Sequence, residues 1–307
     1  MASITVLMTT YRRANVLART FASMEQLAAR AIDWQLLVID NADDAATGDV
    51  CERFQDRLPL AYLVCTRPGK NAALNFGLSH VTGKLIAFTD DDVLPARNWL
   101  TAMYEGAARW PNHVLFGGRV LPDWPEEPPD FVRELAHRPD IGRWTYSVLD
   151  PPTSEGPCPH LLPMGNNMAL RKSVFDDGLR FDERIGPRGA SYAMGSETAL
   201  VLRLRALGHE PVFLPDSVVH HQIRAEQLSR EWLIGRAFRE GRGEAYLKGD
   251  RSLMGLLRLA KHLLAAWTRQ YARPRMEDNV HSQLQPLRYA LAKGRLYEAL
   301  RLQFGLS

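Results

Sequence analysis

Cysteine is scarce in this chain of 307 residues, with only Cys51, Cys65 and Cys158 present. None forms a CxxC pair, and an odd number leaves one unbonded. That excludes a disulfide framework and a cysteine-rich zinc site, and it fits a reducing, cytoplasmic setting. No stretch of about 18 apolar residues offers a membrane-spanning helix. The N-terminus enters a strand pattern directly, without the basic segment, apolar run and small-residue site of a secretory leader. Internal repeats and low-complexity tracts are missing, as is the Gly-Lys-Ser/Thr ending of a Walker loop. Neither sign of charge dominates: 38 Lys and Arg stand against 35 Asp and Glu, and 46% of residues are hydrophobic. The composition excludes a disordered polyelectrolyte and gives a globular protein of one large domain or two smaller ones, with enough chain for a sizeable core.

The net charge of +3 hides a division. From Arg230 to Ser307 there are 15 Lys and Arg against 7 Asp and Glu, a balance of +8, whereas the first 229 residues hold 23 against 28, a balance of −5. An acidic body and a basic tail imply two regions with different partners.

The first third alternates short apolar runs with helical spacing. Ile4 to Met8 reads as a buried strand, and Val16, Leu17, Phe21, Met24 and Leu27 follow at helical intervals. Leu36 to Ile39 is a second strand ending in Asp40-Asn41, Val50 to Phe54 a short helix, and Leu60 to Val64 a third strand. Ala72 to Ser79 is helical, and Leu85 to Phe88 is a strand ending in Asp90-Asp91-Asp92. This order predicts an α/β fold with a mostly parallel, Rossmann-like sheet, and such sheets bind nucleotides beyond the carboxyl ends of their strands. From Leu121 to Pro163 prolines are dense and Trp124 and Trp144 sit among them, which predicts a long irregular segment folded over one edge of the site. A helix near Glu197 to Leu207, a strand at Pro211 to Leu214 and Val218-Val219-His220-His221 come next. Beyond Ser229 nearly everything looks helical, with Pro274 and Pro286 as breaks.

Three adjacent carboxylates at a strand end repel one another unless a cation stands among them. Hard oxygen ligands suit Mg²⁺ or Mn²⁺, which would in turn hold a diphosphate. The bland alternative is a solvated loop in which one Asp caps a helix beginning near Pro95. Asp40 either meets a base or ribose or merely opens a turn. Arg67-Pro68-Gly69-Lys70-Asn71 puts two cations and a glycine before a helix N-terminus, a place for anions, or else it is a surface turn. Glu197 opens its helix, where the helix dipole alone favours an acid; the functional alternative is a general base facing the metal. His220 and His221 point to opposite faces of an extended segment, so at most one faces a site, and parity does not choose between them.

The order of the motifs is more telling than any one of them. Thr9-Thr10-Tyr11-Arg12-Arg13, Val38-Ile39-Asp40-Asn41 and Gly69-x-x-x-Ala73-x-Asn75 are followed by Phe88-Thr89-Asp90-Asp91-Asp92, Gly165-Asn166-Asn167-Met168-Ala169 and Gly195-Ser196-Glu197. In this succession, from Ile4 to Gly241, the chain resembles the family 2 glycosyltransferases, inverting enzymes of the GT-A fold. The resemblance implies a catalytic domain over residues 1–229, with a nucleotide-sugar half to about 120 and an acceptor half beyond, and a basic amphipathic helical extension over 230–307. It places Thr9, Tyr11, Arg13, Asp40, Arg67, Lys70, Asn71, Asp90 and Asp91 around the donor, usually a UDP-sugar. Asp92, with Asp90 and His221, would hold the divalent metal. Gly165, Asn166 and Asn167 would line the acceptor side, and Glu197 would deprotonate the acceptor hydroxyl of a glycan or lipid-linked substrate in polysaccharide or glycoconjugate synthesis. The chain departs from many relatives in having Ser196 before a single acid, and Leu74 where Arg or Lys often precedes Asn75.

Two rivals belong to other classes. A sugar nucleotidyltransferase usually carries a glycine-rich basic loop after its first strand, and Thr9 to Arg13 contains no glycine. A catalytically silent nucleotide-binding scaffold would have no need of both the acidic triplet and Glu197. In the tail, Leu253, Leu256, Leu257, Leu259, Leu263, Leu264 and Trp267 make a broad apolar face broken by Arg258 and Lys261. Such a face over 251–301 suits peripheral contact with the inner surface of the cytoplasmic membrane, or packing on the catalytic domain or on a second subunit of a homo-oligomer. No nucleic-acid motif accompanies the basic charge, so no nucleic-acid partner is expected.

Overall fold

The computed structural model describes residues 3–189, 192–249, 252–271 and 280–305. Arg251 and Pro274 lie outside the described residues. In chain order the elements are β1 (Ile4–Thr10), α1 (Ala14–Met24), β2 (Trp34–Asp40), α2 (Ala45–Phe54), β3 (Leu60–Val64), α3 (Lys70–Leu78), β4 (Leu85–Asp90), β5 (Val93–Pro95), α4 (Trp99–Arg109) and β6 (Leu115–Asp123). Then come α5 (Asp130–His137), α6 (Pro139–Tyr146), β7 (Gly156–Pro157), β8 (Met168–Arg171), α7 (Ser173–Asp176), α8 (Ser196–Ala206) and β9 (Pro211–Gln222). A 3₁₀ turn (Ala225–Leu228), α9 (Arg230–Lys248), α10 (Leu253–Tyr271) and α11 (Val280–Phe304) complete the chain.

These elements form two units. One comprises Met1–Asp123, Leu149–Glu183 and Ser196–Gln222; the other Trp124–Val148, Arg184–Gly195 and Ile223–Ser307. The division expected near Arg230 thus falls at Ile223, and two earlier segments belong with the helical tail.

In the first unit a nine-stranded sheet runs β3-β2-β1-β4-β8-β6-β9-β5, with β7 on β9. β3, β2, β1 and β4 are parallel neighbours, while β8 lies antiparallel between β4 and β6. Every residue of β1 is buried, because alternate side chains feed opposite faces. Ile4, Val6 and Met8 join Leu17, Phe21, Val50 and Phe54 of α1 and α2. Leu7, with Leu37, Ile39 and Phe88, joins Leu74 and Leu78 of α3 and Leu200 and Leu204 of α8. The acidic triplet does not cap a helix near Pro95: β5 follows it, and α4 begins only at Trp99.

The second unit corrects two expectations. The proline-rich stretch is not irregular throughout; it folds α5 and α6, with Pro129 before the first helix and Pro139 opening the second, where the missing N–H costs nothing. Val132, Leu135, Ile141 and Tyr146 of these helices share a core with Leu233 and Ala237 of α9 and Leu284 and Leu287 of α11. Pro286 lies inside α11 and does not end it. The buried Leu284 and Leu287 beside it anchor that turn, so packing outweighs the lost backbone bond. Between α9 and α11, Arg242 pairs with the fully buried Glu298 at 2.7 Å.

Candidate functional site

The strand order reverses between β1 and β4, since β2 and β3 lie on one side of β1 and β4 on the other. That reversal opens a crevice at the carboxyl ends of the two strands. Register brings Thr9 opposite Asp90 and Thr10 opposite Asp40, so residues far apart in sequence share one edge.

Each of the three aspartates there is paired, and Arg13 bridges two of them. Asp90 accepts a 2.6 Å bond from Lys70 Nζ. Asp91 turns inward, accepting from Thr10 Oγ1 at 2.7 Å and from Arg13 at 3.1 Å, while its carbonyl accepts from Thr20 Oγ1. Asp92 meets Arg13 at 2.9 Å and His221 Nε2 at 3.6 Å. Its carbonyl accepts from the Gln222 N–H, which ties the triplet to the end of β9. Burial, then the charge of Asp92, push Asp91 up to about 6 against the pull of Arg13 and Thr10. Burial would raise Asp92 as well, but the charge and hydrogen bond of His221, followed by Arg13 and Lys70, hold it far below the usual carboxylate range. For Arg13 and Lys70 burial opposes the charge, and the surrounding acids more than reverse it, so both are firmly cationic. Two basic side chains therefore stand among the carboxylates and relieve their repulsion.

Glu197, in the first turn of α8, lies 3.3 Å from the same Lys70 Nζ. It rests directly on Gly165. A Cβ at that position would stand 2.6 Å from the Glu197 carboxylate carbon, far inside contact distance, so glycine is what admits the acid there. Lys70 and Gly165 thus fix a carboxylate that is a quarter exposed, on the edge where Asp90 stands.

The remaining expected residues divide. Tyr11 is 56% exposed on the loop after β1, available to stack on a flat ligand, and Thr9 is buried beside it. Asp40 is 0% exposed, and its oxygens accept from Ala42 N, Asp44 N and Tyr62 Oη. It closes its own loop rather than presenting a free acceptor. Burial, then Asp40, raise the Tyr62 phenol, and burial with Asp40 pushes the Cys51 thiol up to about 12, which removes it as a nucleophile. Arg67 leans on Glu183 at 3.5 Å, and buried Asn71 donates to the Asp182 carbonyl, so of that turn only Lys70 reaches the acids. Asn167, expected toward an acceptor, is instead fully buried. It donates to the carbonyls of Arg119 and Ser217 and accepts from Trp99 Nε1, pinning the irregular β6–β9 pairing, where a ligand has no room. Asn166 is buried with its Oδ1 unpartnered.

His221 is the buried member of its pair and reaches Asp92, which parity alone left open. Of the expected metal trio, Asp90 is paired with Lys70, and among the described residues no three of His, Cys, Asp and Glu stand together as a metal cluster. Asp92 and His221, a carboxylate oxygen and an imidazole nitrogen on one edge, fit a divalent ion that draws its other ligands from a diphosphate and water. Thr20 and Gln222, which support the triplet and bond to each other at 2.9 Å, were missed. Thr20 shares the buried side of α1 with Leu17, Phe21 and Met24, which is a signal in the sequence, whereas Gln222 ends a stretch of β9 already polar and gives none.

Known proteins share this arrangement of chain. The Glucosyl-dolichyl phosphate glucuronosyltransferase of Haloferax volcanii is 23% identical over 161 residues, 52% of this chain and 50% of that protein. The chain thus matches about half of that relative's length. The Succinoglycan biosynthesis protein ExoM of Rhizobium meliloti is 24% identical over 246 residues, 79% of this chain and 74% of that one. Among solved structures, the mannosyltransferase PcManGT of Pyrobaculum calidifontis, in complex with GDP-Man and Mn²⁺, superposes with a TM-score of 0.54 at 18% identity, covering 100% of this chain and 76% of that one. S. aureus TarS 1-349 in complex with UDP-GlcNAc gives 0.52 at 14% identity, over 99% and 92%. These likenesses establish the GT-A fold. Residues 5–178, more than half of the chain, match the profile of Glycosyl transferase family 2, and the protein belongs to that family of glycosyltransferases.

Proposed function

We propose that the enzyme moves a sugar from a nucleoside-diphosphate sugar, with UDP as the nucleotide, to a hydroxyl of a glycan or lipid-linked acceptor in polysaccharide or glycoconjugate synthesis, with inversion at the anomeric carbon. The observation that carries the reading is the Glu197 carboxylate, seated on Gly165 beside Lys70 and sharing that lysine with Asp90. The acceptor oxygen attacks the anomeric carbon as the bond to the diphosphate breaks, and the acceptor proton passes to Glu197. One displacement of this kind inverts the centre. Lys70 favours the ionised form of Glu197, the form a base needs, and places a positive charge near the departing diphosphate. Arg13 secures Asp91 and Asp92, and Tyr11 offers its ring to the base. Asp92 and His221 would hold a divalent ion, which when bound offsets negative charge on the diphosphate.

Support comes from the family, from relatives named for a glucuronosyltransferase and for succinoglycan biosynthesis, and from neighbours holding GDP-Man with Mn²⁺ or UDP-GlcNAc. The test is a thermal-shift panel of nucleoside diphosphates and nucleotide sugars with and without Mn²⁺. UDP with Mn²⁺ is expected to raise the melting temperature most, and indifference to every nucleotide would defeat the reading.

A further inference from the structure

Helix α10 contains no acidic residue, and its outer face is apolar where a surface helix is normally polar. Leu253, Leu257, Leu264, Trp267 and Tyr271 are between 46% and 73% exposed. At 3.6 residues per turn they fall in one stripe about 80° wide. The adjoining side carries the structural load: α10 packs against α11 with Gly255 and Ala266 buried and Leu256, Leu259 and Leu263 half-buried. The long apolar face of the sequence is therefore two faces, and only one is used for folding.

The border of the free stripe is cationic. Lys261 flanks the stripe, and Arg258, Arg269 and His262, all exposed, lie further round the helix on that same solvent side. At the C-terminal end Trp267 and Tyr271 lie 5.8 Å apart, and Tyr271 sets its ring edge-on to Tyr289 of α11. Such rings have an apolar body and a polar tip, as a boundary between hydrocarbon and water requires. Among the described residues no helix is long and apolar enough to cross a membrane, so the stripe suits lying on a surface rather than spanning one.

We infer that the outer face of α10 is a docking surface for an anionic lipid bilayer, with Leu253, Leu257, Leu264 and Trp267 entering the acyl boundary and Arg258, Lys261 and Arg269 meeting lipid phosphates. Charge decides between this occupant and a second copy of the chain. A twofold contact through the stripe would bring the basic borders together with no acid on α10 to compensate, whereas an anionic surface neutralises them. The inference is independent of the reading of Glu197.

The experiment is co-sedimentation of the full chain with sucrose-loaded vesicles of phosphatidylcholine alone and of phosphatidylcholine with phosphatidylglycerol. The protein is expected to sediment with the anionic vesicles at low salt, to leave them at high salt, and to remain in solution with the neutral ones. Leu257→Glu with Leu264→Glu should abolish sedimentation without changing the melting temperature. Lys261→Gln with Arg269→Gln, which leaves the apolar stripe intact, should weaken partitioning by about fivefold per cation removed. The inference is overturned if the wild-type chain stays in solution with both vesicle types, or if the variants sediment as well as the wild type. It is equally overturned if light scattering finds a dimer that Leu257→Glu dissociates, since the face would then join two copies.

Discussion

The two units solve opposite problems. In the first, charge is crowded and largely withdrawn from water: Arg13, Lys70, Asp90, Asp91, Asp92, His221 and Glu197 gather at strand ends and helix starts, each held by a named partner. In the second, apolar surface is left outside: α10 exposes a row of large side chains although α9 and α11 offer a core close by. Burying charge and exposing leucine both cost stability, so both mark places where folding has yielded to another demand. One buried ion pair breaks the symmetry. Arg242 and Glu298 lie inside the helical unit, and their work is to join α9 to α11.

The contrast is open to direct attack, the largest effect first. Glu197→Gln should lower sugar transfer by about 10²- to 10⁴-fold, the usual contribution of a general base, while nucleoside-diphosphate binding measured by calorimetry is retained. Wild-type turnover in this variant would remove Glu197 from the chemistry. Arg242→Met tests the helical unit. It leaves Glu298 buried with only Arg301 to answer it, and urea denaturation should show a loss of about 3 kcal/mol. Gly165→Ala then separates position from charge in the first unit. The added methyl displaces the Glu197 carboxylate while keeping the acid itself, and kcat should fall about 10²-fold with donor binding unchanged. Tyr62→Phe is the mildest. It removes one of the bonds to Asp40 and should cost about 1 kcal/mol of stability with little effect on transfer. A large loss of donor affinity in that variant would return Asp40 to the donor site.

Much of the first unit could be read along the chain because its signals are local. Leu60–Val64 is a strand with the bounds that its residues imply, and β1, β2 and β4 merely extend past their apolar runs into the polar residues that do the work. The site was legible as a set of residue types at strand ends. Its internal assignments were not, because Asn71 and Asn167 hold backbone carbonyls far away in sequence, and Asp40 spends its oxygens on its own loop and on Tyr62. A polar side chain that holds the frame and one that touches a ligand look alike until burial separates them. The second unit was less legible for the reverse reason. Proline at the start of α5 and α6 reads like a loop, and Pro286 reads like a break, until the core behind them is known.

The sequence by itself determined the parallel half of the sheet, β1 to β4, with the order of the motifs and the charge division between body and tail, since periodicity and strand-end chemistry are properties of neighbouring residues. The antiparallel pairings of β8, β5 and β7 were not legible there. Only the tertiary structure decided that Lys70 stands between Asp90 and Glu197, that Gly165 makes room for that acid, that His221 rather than His220 meets Asp92, and which side of α10 is left free. Those facts depend on strand register, helix packing and burial, which bring together residues well separated in the chain, Lys70 and Glu197 among them, and have no counterpart in local sequence.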